Sequence, residues 1–251
     1  MDALLFDFDG LILDTETPEL EVWEQVFADY GVAFPIEYWL FALGRGAEQI
    51  HEKPIDLLKR AAPRIDAESV NQFAREIRLS RIMAAEPMPG VVELMREARA
   101  QKIPTAVVSS SKHPWVDGHL ERLGLAHFFD LTICADDAEH AKPFPDLYEL
   151  ALRRLSVAAS HTVALEDSPN GLTAATAAGI FAVAVPNPLT ARLDLSHASA
   201  LLATLSGISV KDLAALAGLS LNSTLPTVSG ESDEHFALGE VRNDLDHKIL
   251  I

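Results

Sequence analysis

The sequence predicts a doubly wound parallel α/β sheet with an all-helical insert. Short apolar runs recur at 3–8, 103–108, 130–134, 161–165 and 180–185, and each stops at turn or polar residues, as buried parallel strands do. Helical patterns lie between the later runs, at 90–101, 114–124, 145–155 and 168–178, and the connections are short. Between the first run and the second, residues 16–84 show helical periodicity and no strand, a stretch far longer than a crossover needs.

Taken in order, the run ALLFDF at 3–8 ends at Asp9-Gly10. The insert follows, with helical stretches at 19–31 (amphipathic, closed by Gly31), 35–44, 47–62 with Pro54 inside it, and 66–84. The chain leaves the core near Asp14–Pro18 and returns near Glu86–Gly90, where Pro87, Pro89 and Gly90 suit a hinge. The helix at 168–178 has clear end signals: Ser168 caps it, Pro169 fits its first position and Gly179 lies just past its end. Residues 195–218 also read as helical. These boundaries give a core of residues 1–15 and 87–220, a second helical domain at 16–86, and an acidic, mobile tail at 221–251.

Charge narrows the function. Among 251 residues, 37 acids outnumber 20 bases for a net charge of −17. Neither a general nucleic-acid binder nor a protein docking on anionic membrane has that balance. A small anionic substrate remains open, because a metal ion or local cations can reverse the sign inside a cleft. The lone cysteine, Cys134, allows no intrachain disulfide and no cysteine metal site, and on an apolar strand it reads as buried and inert. The nine histidines show no ligand spacing, and Trp23, Phe27, Trp39 and Phe41 read as the insert's core. With no long apolar segment and no basic leader, a soluble cytoplasmic protein is expected.

Ligands of such sheets bind outside the carboxyl ends of the strands. Those ends carry Asp7 and Asp9; Ser109, Ser110, Ser111 and Lys112; Asp136 and Asp137, followed by Lys142-Pro143; and Glu166-Asp167-Ser168. Carboxylates gathered in one cleft repel one another unless a cation joins them, and hard oxygen ligands without His or Cys point to Mg²⁺. Strand alternation puts Asp7 and Asp9 on one face. One can then attack phosphorus while the other handles the leaving group's proton. Ser109 and Lys142 would hold the phosphoryl oxygens.

The stretches DFDGLILDTE (7–16), Ser109 after an apolar strand, KPFPD (142–146) and LEDSPNG (165–171) resemble, in order and spacing, the four motifs of the haloacid dehalogenase-like superfamily. The resemblance covers roughly residues 2–218 and implies a Rossmann-like core. The insert is similar to the small helical cap of the branch containing β-phosphoglucomutase and phosphoglycolate phosphatase. By that resemblance Asp7 is the nucleophile and Asp9 the general acid/base. Asp7, Asp9 (through its backbone carbonyl), Asp167 and Glu166 lie in or near the metal shell, and Ser109 and Lys142 bind the phosphoryl group. Asp14 resembles a hinge acid, and Gly10 permits the turn. An acid at Asp9 favours phosphoryl transfer over dehalogenation.

The cap departs from the mutase pattern. Where that pattern has a His, this chain has Glu19, and Arg45 lies only near the place of its Arg. Arg45, Ser110 and Lys112 are the candidate substrate contacts. The expectation is a Mg²⁺-dependent phosphatase acting on a small phosphorylated metabolite, a sugar phosphate, through an aspartyl phosphate, as a monomer or weak homodimer. A phosphohexomutase and, in another class, a phosphoacceptor signalling domain are the alternatives.

Overall fold

The computed structural model describes residues 1–43 and 52–221. In chain order its elements are β1 (Ala3–Phe6), α1 (Thr17–Asp29), α2 (Ile36–Ala42), α3 (Pro54–Ala61), α4 (Ala67–Ala84), α5 (Val91–Ala100), β2 (Thr105–Val108) and α6 (His113–Arg122). Then come β3 (Leu131–Ile133), α7 (Asp146–Leu155), β4 (Thr162–Glu166), α8 (Pro169–Ala177), β5 (Phe181–Ala184), β6 (Ala200–Leu201) and α9 (Val210–Leu216). The strands form one sheet in the order β3-β2-β1-β4-β5-β6, and every pairing is parallel. This is the doubly wound α/β arrangement the sequence predicts.

Period-two alternation sorts the strand residues between two cores. Leu4, Phe6, Val107, Val163, Leu165 and Val183 face one side, where α5, α6 and α9 pack. Leu5, Ala106, Val108, Ala164, Ala182 and Ala184 face the other, under α7 and α8. Both faces are covered, which is why these strands read as unbroken apolar runs. α8 begins as expected: the Ser168 side chain accepts the Gly171 N–H at 3.2 Å, and Pro169 follows it.

The expectation of a helix over 195–218 is corrected. Ala200–Leu201 instead adds a sixth strand beside Val183–Ala184, and only Val210–Leu216 is helical. The Ala- and Leu-rich stretch has helical propensity, but the sheet edge offers it backbone partners. The N–H of Ser199 donates to Ala182 O and that of Leu202 to Ala184 O, each at 2.8 Å. The helix starts where Ser209 and Asp212 form a reciprocal cap.

Helices α1 to α4 have a core of their own, built on Val22, Trp23, Val26, Phe27, Ile55, Leu58, Val70 and Ala74, with Trp39 partly buried against it. Phe41, expected in that core, is 58% exposed, because the short α2 turns it outward. Pro54 opens α3, where a missing N–H costs nothing, so no helix runs through it. Arg45 and the stretch 44–51 lie outside the described residues, as does 222–251, all of the expected tail but Leu221. Leu221 is partly buried against the main core. Where the chain leaves β1, Asp14 accepts the N–H of Thr17 at 2.9 Å; where it returns, the Met88 N–H donates to Ile12 O at 2.8 Å. Among the described residues, no helix is long and apolar enough to cross a membrane.

Candidate active site

Register places the acids. Phe6 pairs with Leu165 across β1 and β4, and the Asp7 N–H donates to Leu165 O at 3.0 Å, so Asp7 emerges beside Glu166 and Asp167. Phe6 also pairs with Val107 on the other side, which sets Ser109 one step beyond the same edge. These strand ends open onto a cleft of about 460 Å³, lined among others by Asp7, Asp9, Ser109, Ser110, Lys142 and Asp167.

Lys142 is the electrostatic centre. Its Nζ donates to Asp7 Oδ1 at 2.5 Å and to Glu166 Oε1 at 2.6 Å, and the Tyr148 hydroxyl donates to the same Glu166 oxygen. Burial works against the Lys142 ammonium, but Asp7 and Glu166 outweigh it, and its pKa rises. Three carboxylates against one ammonium leave an excess of negative charge. Burial, and then Glu166, push Asp7 up to about 8 despite Lys142. Burial, with Glu16 and Asp7 nearby, raises Asp167 well above the usual carboxylate range. Such a cluster takes up either protons or a cation.

A cation with hard oxygen ligands fits these residues. Asp7, Glu166 and Asp167 each offer an oxygen, all within 4.8 Å of one another. Glu166 Oε2 is buried with no hydrogen-bond partner, although a buried carboxylate oxygen ordinarily has one. The backbone makes room for the acids. A Cβ at Gly171 would stand 1.8 Å from Glu166 Oε2, and one at Gly10, whose φ is +87°, would stand 2.1 Å from Asp167 Oδ2.

Asp9 is held differently. Its carboxylate accepts from Thr15 Oγ1 at 2.8 Å, Ser111 Oγ at 2.6 Å and Trp115 Nε1 at 2.9 Å. Donors from the insert's entry, the β2 loop and α6 therefore fix one acid at the mouth of the cleft. Ser109 is buried, and its Oγ accepts the Ser111 N–H at 3.0 Å. Lys112 is exposed and is not among the cleft's lining residues. Asp136 and Asp137 turn away from the cleft: His113 bonds Asp137 Oδ2 through Nε2 at 2.7 Å, and its backbone N–H donates to Asp136 at 3.2 Å.

The structure adds residues the motifs do not single out. The Asn187 amide nitrogen donates to Asp167 Oδ2 at 2.9 Å and to Glu16 Oε2 at 3.3 Å. Its oxygen accepts the N–H groups of Leu189 and Thr190, which settles which end faces the acids. Burial raises Glu16 to about 8 against the Asn187 hydrogen bond, with Asp9 adding to the rise. Glu19 and Arg78 line the insert's side of the cleft and pair at 2.9 Å. Thr15 and Glu16 sit within the first motif stretch, and a Trp at the start of the helix after Ser109 is a usable signal for Trp115. Arg78 carries none, being one arginine among several on its helix.

Comparison with known proteins gives this geometry a lineage. A profile described as haloacid dehalogenase-like hydrolase matches residues 4–185. YhcW of Bacillus subtilis is 38% identical over 199 residues, covering 78% of this chain and 89% of that protein. The fructose-1-phosphate phosphatase YqaB of Escherichia coli is 33% identical, covering 73% and 95% respectively. Among solved structures, CbbY from Rhodobacter sphaeroides in complex with phosphate aligns with a TM-score of 0.64 at 27% identity, over 85% of this chain and 99% of that one. The chain belongs to the haloacid dehalogenase-like hydrolase family.

Proposed function

We propose that this protein is a Mg²⁺-dependent phosphatase that hydrolyses a sugar phosphate through a phosphorylated Asp7. The observation that carries the reading is Asp7 at the cleft, tied to Lys142 and abreast of Asp167, with a separately anchored Asp9 two residues on. One Asp7 oxygen attacks phosphorus as the bond to the sugar oxygen breaks, and Asp9 gives that oxygen its proton. Asp9, now a carboxylate, takes a proton from water. The water oxygen attacks the phosphoryl group, inorganic phosphate leaves, and Asp7 is restored. Lys142 and Ser109 offset and orient the phosphoryl oxygens throughout. Asp7, Asp167 and the Asp9 backbone carbonyl, with Glu166 beside them, would hold magnesium, which supplies positive charge to the transferring phosphoryl group.

The helices of residues 16–86 serve as a cap that closes over substrate and excludes water. Likeness to the E. coli fructose-1-phosphate phosphatase supports a sugar phosphate. The test is phosphate release from a panel of sugar phosphates and phosphoglycolate, with magnesium and with chelator. Turnover that needs magnesium and releases inorganic phosphate is expected. Isomerisation of a hexose 1-phosphate without net phosphate release would replace the reading with a mutase, and a long-lived phosphoprotein without turnover would replace it with a phosphoacceptor.

A further inference from the structure

On the insert's side the cleft is lined by Glu19 from α1 and by Arg78 and Ile82 from α4. Arg78 Nη1 donates to Glu19 Oε1 at 2.9 Å, with the two side chains 30% and 33% exposed. Arg78 Nε is buried without an acceptor. One helical turn away, Arg81 pairs with Glu21 at 2.8 Å between the same two helices, more exposed at 42% and 55%, and neither residue lines the cleft. If holding α1 against α4 were the whole task, the second bridge would do it. The first spends its charges on the cleft.

We propose that the Glu19–Arg78 pair reads the part of the substrate distal to the phosphoryl group, and that it selects a neutral, polyhydroxylated monophosphate over a bisphosphate. The inference rests on the phosphatase reading and names its substrate class. A carboxylate beside a guanidinium presents an acceptor and donors side by side, which matches two neighbouring hydroxyls. A second phosphate would meet Glu19 as well as Arg78. Among the described lining residues, Asp7, Asp9, Glu16, Glu19 and Asp167 face only Arg78 and Lys142. Both cations are already engaged, Lys142 by Asp7 and Glu166, Arg78 by Glu19. Even with a divalent ion present, the described residues that line this cleft leave no unpaired cation for a second dianion; Lys53 and Arg75 line a neighbouring hollow on the far side of the same pair.

The experiment compares kcat/KM for a hexose monophosphate, the matching bisphosphate and ethyl phosphate, which has no tail. Wild type is expected to favour the hexose monophosphate over both. In Arg78→Ala the ratio of hexose monophosphate to ethyl phosphate falls about tenfold or more, the scale of a lost hydrogen bond to a charged group. Glu19→Gln, which keeps the shape and removes the negative charge, raises the ratio of bisphosphate to monophosphate about tenfold, as one uncompensated charge would. Arg81→Ala leaves both ratios in place. A wild type that prefers the bisphosphate overturns the proposal, as does an Arg78→Ala that slows all esters in parallel. Should Arg78→Ala not fold, Glu19→Gln decides alone, and an unchanged bisphosphate ratio then overturns it. Failure of the wild type to release phosphate from any ester, with magnesium, removes the phosphatase reading and the pair's role with it. An active enzyme whose ratios do not move removes the pair's role only.

Discussion

The two walls of the cleft are built on opposite electrostatic plans. At the strand ends, Asp7, Lys142, Glu166 and Asp167 are all buried, their positions set by sheet register and by glycines that leave no room to retreat. On the insert, Glu19 and Arg78 sit half-buried on two helices, free to exchange partners with solvent or substrate. A buried, over-acidic cluster is costly to keep and accurate in its geometry, which suits chemistry at one phosphorus atom. A half-exposed pair costs little and tolerates variation, which suits recognition of changing substrates.

The largest effect is expected at Asp7. Asp7→Asn is expected to reduce phosphate release by about a thousandfold or more, because an amide is no nucleophile. The same change removes a buried carboxylate whose pKa stands at about 8, so metal-free protein should be at least as stable as wild type. Activity assays beside a thermal melt in chelator test both halves. A variant that keeps turnover refutes the site; one that loses both turnover and stability shows that the charge at Asp7 is structural.

Lys142→Met sharpens the contrast in stability. It leaves Asp7 and Glu166 buried without their counter-ion, and breaking a buried pair in this way costs about 3–5 kcal/mol. Arg81→Ala removes a bridge of 2.8 Å on the insert, and an exposed pair of that kind contributes at most about 1 kcal/mol. Urea melts of the two variants, without metal, should differ accordingly. Equal losses would mean that the strand-end lysine is far better solvated than its burial indicates.

This division also governs what was legible in the sequence. Asp7, Asp9, Ser109 and Asp167 lie at or just past the ends of short apolar runs, and in a parallel sheet every such end reaches the same edge, so local pattern gives tertiary position; Lys142 lies in the loop between β3 and α7 and is legible through the KPFPD stretch. Glu166 was visible as a neighbour, but its contact with Tyr148 depends on how α7 packs and has no local signature. Arg78 and Asn187 are contributed by elements whose approach to the cleft is a matter of packing angles. Lys112 and Asp136 show the converse: adjacent in sequence to site residues, they are turned away by the first turn of α6 and the loop after β3. The β6 edge was hidden because Ala and Leu favour a helix until backbone partners decide otherwise.

The smallest expected effect lies where the core wall is held rather than where it reacts. His113 opens α6, which carries Trp115 to Asp9. Its ring bonds Asp117 at 2.9 Å and Asp137 at 2.7 Å; Asp137 also accepts the Cys134 N–H and pairs with Arg154 at 3.3 Å. Burial lowers the imidazolium's pKa, but the two carboxylates outweigh it and the net shift is upward. A raised pKa means the folded state prefers the protonated ring. The stabilisation is therefore complete below the ordinary value near 6.5 and fades as pH climbs through the higher folded value. His113→Asn should lower Tm by about 1–2 °C at acidic pH, in keeping with a partly exposed pair, and by progressively less toward alkaline pH. A deficit that stays constant across that range would assign His113 a packing role instead, and α6 would then be pinned by Trp115 and Ser111 without help from charge.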